Sequence, residues 1–387
     1  MNAQRLASMC AAVLALGALA SCTDNDASTG DAIEVISTDD ECKVATDEMA
    51  AGTLTFNVRN DGDKPTEFYL LGEDGQQIIG EVENIGPGLE RKLVVIADEG
   101  SYITACKPGM TGDGIRAPFT VTEGEAAAAP ESSELLTAAT DQYALYVEEQ
   151  AEDLQEQTAE FARLYKAGDD DAARTLYPIA RTPWERIEPV AESFGDLDPR
   201  LDLREADLAE GQNWTGWHRI EKDLWPPDGY TPMTTDERAE IADQLVADTD
   251  ELVERIEALT YSPDQLGNGA KELLDEVATG KVTGEEEFWS HTDLWDFQAN
   301  VDGARVAFED LEPVLDEKNP ELADTLNERF DALQTILDQY KVDAPDAPDG
   351  YGFVSYTELT PDQVKELSDA VNALSEPLSE LTAEVLA

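Results

Sequence analysis

A short small-residue run, Gly124-Glu-Ala-Ala-Ala-Ala-Pro-Glu131, separates two incompatible apolar periodicities and so sets the domain plan. N-terminal to it, Thr53-Leu-Thr-Phe-Asn-Val58, Lys92-Leu-Val-Val-Ile96 and Pro118-Phe-Thr-Val-Thr122 carry the strand pattern. Turn residues punctuate them at Asn60-Asp-Gly62, Asp74-Gly75, Gly86-Pro-Gly88 and Glu99-Gly100. C-terminal to the run the spacing becomes three and four. Helices are expected from a Ser132/Ser133 cap to Lys166, then at 170–194, 203–225, 234–260, 263–279, 290–312, 319–340 and 361–385, with no strand among them. The chain is therefore read as multidomain. An all-β Greek-key sandwich spans 32–123, a linker 124–131, and an all-α helical-bundle domain 132–387.

The helical part holds both histidines of the chain, His218 and His291. Read as one helix ended by Pro226-Pro227, the stretch Asn213–Trp225 puts Trp214, His218, Glu221 and Trp225 on a single stripe. Arg219 is expected to pair with Asp223 one turn on. Two meanings stay open for His218 and Glu221: a buried hydrogen-bonded pair, or two donors to one cation. On an earlier helix Glu185, Glu188 and Glu192 lie opposite Ile187, Val190, Ala191 and Phe194, which reads as a solvated acidic face. Carboxylate-rich metal bundles, however, turn such rows inward. Ser290-x-x-Asp293 has capping-box spacing, with His291 beside it at the helix end. All six tryptophans fall near these segments, and indoles that bury together would draw them into one cluster.

Three stretches in register resemble the EfeO family of extracytoplasmic iron-uptake components. They are Thr182-Pro-Trp-Glu-Arg-Ile-Glu-Pro-Val-Ala-Glu-Ser-Phe-Gly-Asp-Leu-Asp198, Gly216-Trp-His-Arg-Ile-Glu-Lys-Asp-Leu-Trp225 and Ser290-His-Thr-Asp-Leu-Trp-Asp-Phe-Gln-Ala-Asn300. The resemblance implies an imelysin-like helical domain of two bundle-like halves with a metal site between helices. It makes His218 and Glu221 the leading ligands, joined by Glu185, Glu188, His291 and Asp293. The cargo implied is iron, as Fe²⁺ or Fe³⁺; the partners implied are a membrane iron permease and a haem peroxidase-like protein. The alternative is a zinc-dependent peptidase with His291 as third ligand. Against an enzyme, no separate general base is evident, and H-E-x-x-H and G-x-S-x-G are both missing.

The N-terminal domain resembles a cupredoxin in strand order and in Cys106-Lys-Pro-Gly-Met110. It contains no histidine, so a blue-copper site, which needs two, is excluded. Cys42 and Cys106 keep two readings: a disulfide of a secreted domain, or, as the EfeO resemblance implies, a metal site with Glu67 and the thioether of Met110, where soft sulfur would suit copper.

Residues 1–21 have the form of a secretory signal, Arg5 followed by the apolar run Ala11–Ala20. Leu19-Ala-Ser-Cys22 resembles a lipobox, which implies acylation of Cys22, a tether over 22–31, and anchoring to the outer face of the cytoplasmic membrane. A formal charge of −59 and a pI near 4.1 make nucleic acid and anionic lipid poor partners. Such a surface attracts cations, and with 41% hydrophobic residues the chain still has enough apolar material for cores.

Overall fold

A computed structural model describes residues 32–124, 133–209, 211–344, 347–348 and 350–387. The signal sequence, the tether with Cys22 and most of the linker lie outside the described residues.

The first domain is a sandwich of two sheets. One has the order β2-β1-β4-β7, from β1 (Ile33–Ser37), β2 (Cys42–Val44), β4 (Gly52–Asn60) and β7 (Glu90–Ala97). The other has the order β3-β9-β8-β5-β6, from β3 (Glu48–Ala50), β5 (Thr66–Leu71), β6 (Ile78–Ile85), β8 (Gly100–Cys106) and β9 (Ile115–Thr122). Alternation decides the packing. Leu54, Phe56 and Val58 of β4 point inward and meet Phe68, Leu93, Val95, Phe119 and Val121. Phe56 packs against Phe68 and Phe119 with ring centroids 5.2 and 5.7 Å away. Cys42 and Cys106 are joined in a disulfide that ties β2 to β8 across the sandwich. The alternative metal set of Cys42, Cys106, Glu67 and Met110 therefore has no thiolate to offer. Glu67 is engaged elsewhere: it accepts from the Tyr69 hydroxyl at 2.8 Å and faces Lys107 at 3.7 Å.

The second domain is built from α1 (Ser133–Ala167), α2 (Asp170–Glu192), α3 (Asp198–Leu201), α4 (Trp217–Leu224), α5 (Thr235–Ile256), α6 (Pro263–Thr279), α7 (Asp293–Lys318), α8 (Pro320–Leu337), α9 (Pro361–Leu378) and α10 (Leu381–Leu386). One continuous apolar core runs through it. Helix α1 packs on α2 and α5, α7 packs on α6 and α8, and the α2–α7 contact joins these groups. The expectation of no strand fails once: β10 (Lys341–Asp343) and β11 (Tyr351–Phe353) pair as a small antiparallel hairpin. Trp295 covers it, its ring 5.7 Å from that of Phe353. These strands are too short for a periodicity to register.

The domains meet along strands that end both sheets. The Ile96 N–H donates to Asp264 Oδ2 at 2.8 Å, the Val94 carbonyl accepts from Asn268 Nδ2 at 2.9 Å, and the Ile78 N–H donates to the Ser193 carbonyl at 3.1 Å. Helix α6 and the end of α2 thus cover the backbone edges of β7 and β6, which would otherwise stand open to another strand.

Candidate metal centre

The site is assembled where α2 and α7 converge, and its parts come from five segments. Helix α2 carries three prolines, Pro178, Pro183 and Pro189, and leaves helical geometry at Ile187. Pro189 has no N–H, so the carbonyl of Glu185 four residues back loses its intrahelical donor. Asn300 of α7 supplies the replacement, donating from Nδ2 to that carbonyl at 2.7 Å. The kink turns Glu185 and Glu188 inward, and both are buried.

A second junction places the histidine. Gly216 has φ +86, and a Cβ there would sit 2.0 Å from the Leu201 carbonyl oxygen, so only glycine fits. The close approach is zipped on either side. Thr215 Oγ1 donates to the Arg200 carbonyl at 2.7 Å and Trp214 Nε1 to the Leu203 carbonyl at 2.6 Å. Asp202 is thereby held beside His218, in the first turn of α4. Trp214 accordingly lies outside the helix, and the helix expected at 203–225 is reduced to Trp217–Leu224.

The segment between α6 and α7 closes the site. The N–H groups of Trp289 and Ser290 donate to Glu221 Oε1 at 2.9 and 2.7 Å, while His218 Nδ1 lies 3.1 Å from Glu221 Oε2. Both oxygens of Glu221 are thus occupied. On the other side of the ring, Nε2 is 3.5 Å from Asp202 Oδ1 and 3.4 Å from Glu286 Oε1, with no aligned hydrogen bond. The atoms of Asp202, His218 and Glu286 lie within 4.8 Å of one another, and all three residues are buried. His218 and Glu286 line a cavity of about 500 Å³ that also meets Arg204, Phe288 and Trp289, which gives this side of the ring an approach from solvent. His218, Glu221 and Glu287 form a second such group on the Nδ1 side.

The site is crowded with buried carboxyl groups. Asp202, Glu185, Glu188, Glu221, Glu286, Glu287, Asp293 and Asp296 are all buried, and the fully buried cations among them are Arg181 and Lys281. Arg181 bonds Asp202 and Glu185, and its Nε lies 2.7 Å from Glu287. Lys281 lies 2.9 Å from both Glu185 and Glu188. Burial alone would raise Asp202 and Glu286. Arg181 and His218 outweigh that for Asp202, and Lys281 and His218 for Glu286, so both carboxylates stay below their ordinary range. Burial and Glu221 instead push Glu287 well up, and burial pushes Asp293 up to about 7. Both oxygens of Asp296 lack a hydrogen-bond partner.

Comparison with known proteins gives this arrangement its context. Residues 139–381 match the imelysin family and residues 10–121 the cupredoxin-like domain. An Efem/EfeO family lipoprotein of Staphylococcus haemolyticus is 42% identical over 254 residues, 65% of this chain and 85% of that protein. The iron uptake system component EfeO of Escherichia coli is 36% identical over 355 residues, 90% of each chain, as is that of Shigella flexneri.

The chain belongs to the EfeO family. Its fold is that of a cupredoxin-like sandwich followed by an imelysin-like helical domain.

Within this EfeO-family chain the sequence-derived candidates divide. His218 and Glu221 sit together at the centre. Glu185 is linked to that centre through Arg181 and Asp202, and both Glu185 and Glu188 are held by Lys281 and by Asn300, whose Nδ2 is 3.3 Å from an oxygen of each. The solvated acidic face read from periodicity is thus wrong for these two. Asp293 does not form the expected capping box: Thr292 is the N-cap, and Asp293 Oδ1 accepts from the Glu287 N–H at 3.1 Å, bracing the closing segment. His291 has φ +58, and its backbone bridges Glu287 and Tyr356. Among the described residues no group of clustered ligand atoms includes its ring. Arg219 donates to the Tyr230 hydroxyl at 3.0 Å, and Asp223 is taken by Arg238 at 2.8 Å. Asp202, Glu286, Glu287, Arg181 and Lys281 went unread. Asp202 stands just before the helix expected at 203–225, and Glu285-Glu-Glu287 lies between the helices expected at 263–279 and 290–312, where no apolar spacing marks a buried face.

The tryptophans gather only partly. Trp184 donates from Nε1 to Asp202 Oδ2 at 2.9 Å, Trp217 and Trp225 surround Tyr177, and Trp214 packs at a tilt against Trp289, which lines the cavity. Trp295 belongs to the hairpin instead.

Proposed function

We propose that this protein captures an iron ion outside the cytoplasmic membrane and passes it to a membrane permease. Its relatives' names supply the iron-uptake role and, for the staphylococcal one, the lipoprotein character. The lipobox at Leu19–Cys22 supports the same anchoring here. The observation that carries the reading is the buried His218 Nε2, unpartnered and facing the oxygens of Asp202 and Glu286. An imidazole and two carboxylates are a borderline-to-hard donor set that suits Fe²⁺ or Fe³⁺ and leaves positions for water or the cargo's own chelator. In this reading Glu221 fixes the ring through Nδ1, the role carboxylates play behind metal-bound histidines. Glu185 and Glu188, tied to Lys281, set the surrounding charge.

The test is calorimetric titration of the full chain with Fe²⁺, Fe³⁺, Mn²⁺ and Zn²⁺. His218→Ala, Asp202→Asn and Glu286→Gln should each weaken iron binding tenfold or more, and Glu221→Gln should do so by roughly 10–100-fold through loss of orientation. If His218→Ala lowers the melting temperature of the metal-free protein but leaves iron affinity unchanged, the histidine is structural and the proposal fails. Turnover of a peptide library with Zn²⁺ would replace it with a hydrolase.

A further inference from the structure

A second acidic group lies about the domain interface, made from both domains. Glu81 of β6, Glu192 at the end of α2 and Glu272 of α6 each bring a carboxylate oxygen within 4.8 Å of the others. Glu81 is only 7% exposed, and its Oε2 has no hydrogen-bond partner. Among the described residues no ion pair includes any of the three. The lysines nearby are committed, Lys271 to Asp275 and Lys107 to Glu67.

A buried carboxylate oxygen with no donor, such as Glu81 Oε2, is costly, and neighbouring acids add to the cost. Burial first, and neighbouring carboxylates second, hold all three above the usual range, with Glu272 at about 8. Elsewhere at the interface Asp264 Oδ2 and Asn268 Nδ2 bond the backbone of β7, whereas no ion pair or hydrogen bond of that kind reaches Glu81 Oε2. Beside the three acids is a cavity of about 50 Å³, bounded also by Tyr143, Gln265 and Asn268. One water needs roughly 10–15 Å³ measured in this way, so an ion keeping part of its hydration fits.

We propose that Glu81, Glu192 and Glu272 form a second cation site, specific for a hard, multiply charged ion. The donors are all carboxylate oxygens, with no nitrogen or sulfur, which selects hard cations over Zn²⁺ or Cu⁺. The ion neutralises the orphaned Glu81, satisfies its free oxygen, and clamps β6 of the sandwich to α2 and α6 of the helical domain. Binding at this site does not depend on His218, so the proposal stands apart from the function assigned above.

The experiment uses the full chain carrying His218→Ala, titrated with Tb³⁺ in 0.15 M KCl with excess Mg²⁺. Tyr143 at the cavity wall sensitises Tb³⁺ luminescence. A saturable tight phase that equimolar Zn²⁺ does not displace is expected, together with a rise in melting temperature on binding. Adding Glu81→Gln should weaken that phase at least tenfold and remove the thermal gain, while the metal-free melting temperature stays the same or rises because a buried acid crowded by other carboxyls is gone. Glu272→Gln, on the more exposed side of the cluster, is the second variant and should behave alike. Superimposable Tb³⁺ titrations with and without Glu81→Gln, or with and without Glu272→Gln, would overturn the site and leave three acids that merely share protons.

Discussion

His218 derives its chemistry from what meets each ring nitrogen. Burial favours the neutral ring, but Asp202, helped by Glu221 and Glu286, outweighs it and holds the imidazolium well above its ordinary range. An ion bound at Nε2 must therefore displace a proton, so affinity should increase with pH through neutrality. Calorimetry at pH 7 in buffers of different ionisation enthalpy should find about one proton released per ion; none released would place the ion elsewhere. Asp310 offers a titration away from the site. Half-buried on α7, with Oδ2 unpartnered, it is pushed up from 3.8 to about 6 by burial and by Glu309. A folded-state carboxyl raised in this way binds its proton more tightly than in the unfolded chain, so stability falls as pH rises through about 6. Asp310→Asn should thus melt higher than the parent at pH 7.5, and the two curves should coincide by pH 4.

At the scale of elements, the candidate site depends on a defect in α2 that a neighbouring helix repairs. Pro189 frees the Glu185 carbonyl, and Asn300 satisfies it. Asn300→Ala should cost about 1–3 kcal/mol, the range for leaving a buried polar group unpaired. Pro189→Ala restores an N–H at the position that can bond this carbonyl, so in the Asn300→Ala background it should recover part of the loss. Denaturant unfolding of the four proteins in the cycle measures the coupling; strictly additive effects would show that the two groups act independently. Close approach matters equally. Gly303 of α7 has no room for a Cβ, which would meet the Arg186 carbonyl oxygen at 2.3 Å, so α7 lies directly against the kink.

For the whole molecule, the net charge of −59 acts before any ligand does. A field of that sign concentrates cations near the surface and speeds their arrival, an effect that salt screens beyond about 10 Å at 0.1 M. Raising KCl from 0.02 to 0.5 M should slow metal association severalfold in stopped-flow tryptophan fluorescence. Dissociation should change far less, because the candidate ligands are buried. Equal salt dependence of both rates would mean that the measured ion sits on the exposed surface. The contact of α6 with β6 and β7 also joins the two domains, with those two sheet edges covered by helices rather than left to solvent.

The sequence by itself determined the two-domain order, because periods of two and of about 3.6 require different backbones and the change falls at Gly124–Glu131. It also marked His218 and Glu221, whose contact is local, three residues apart on one helix. Tertiary structure decided the rest. Glu185 and Glu188 read as solvent-facing from helical spacing, since no periodicity anticipates a proline kink and a buried Lys281. Asp202 and Glu286 stand 16 and 68 residues from His218 in the chain. Only the Gly216–Leu201 contact and the segment closing onto Glu221 bring them to its second nitrogen. Glu81 met Glu192 and Glu272 only when the domains docked, because a contact between separate domains leaves no periodic trace in either one.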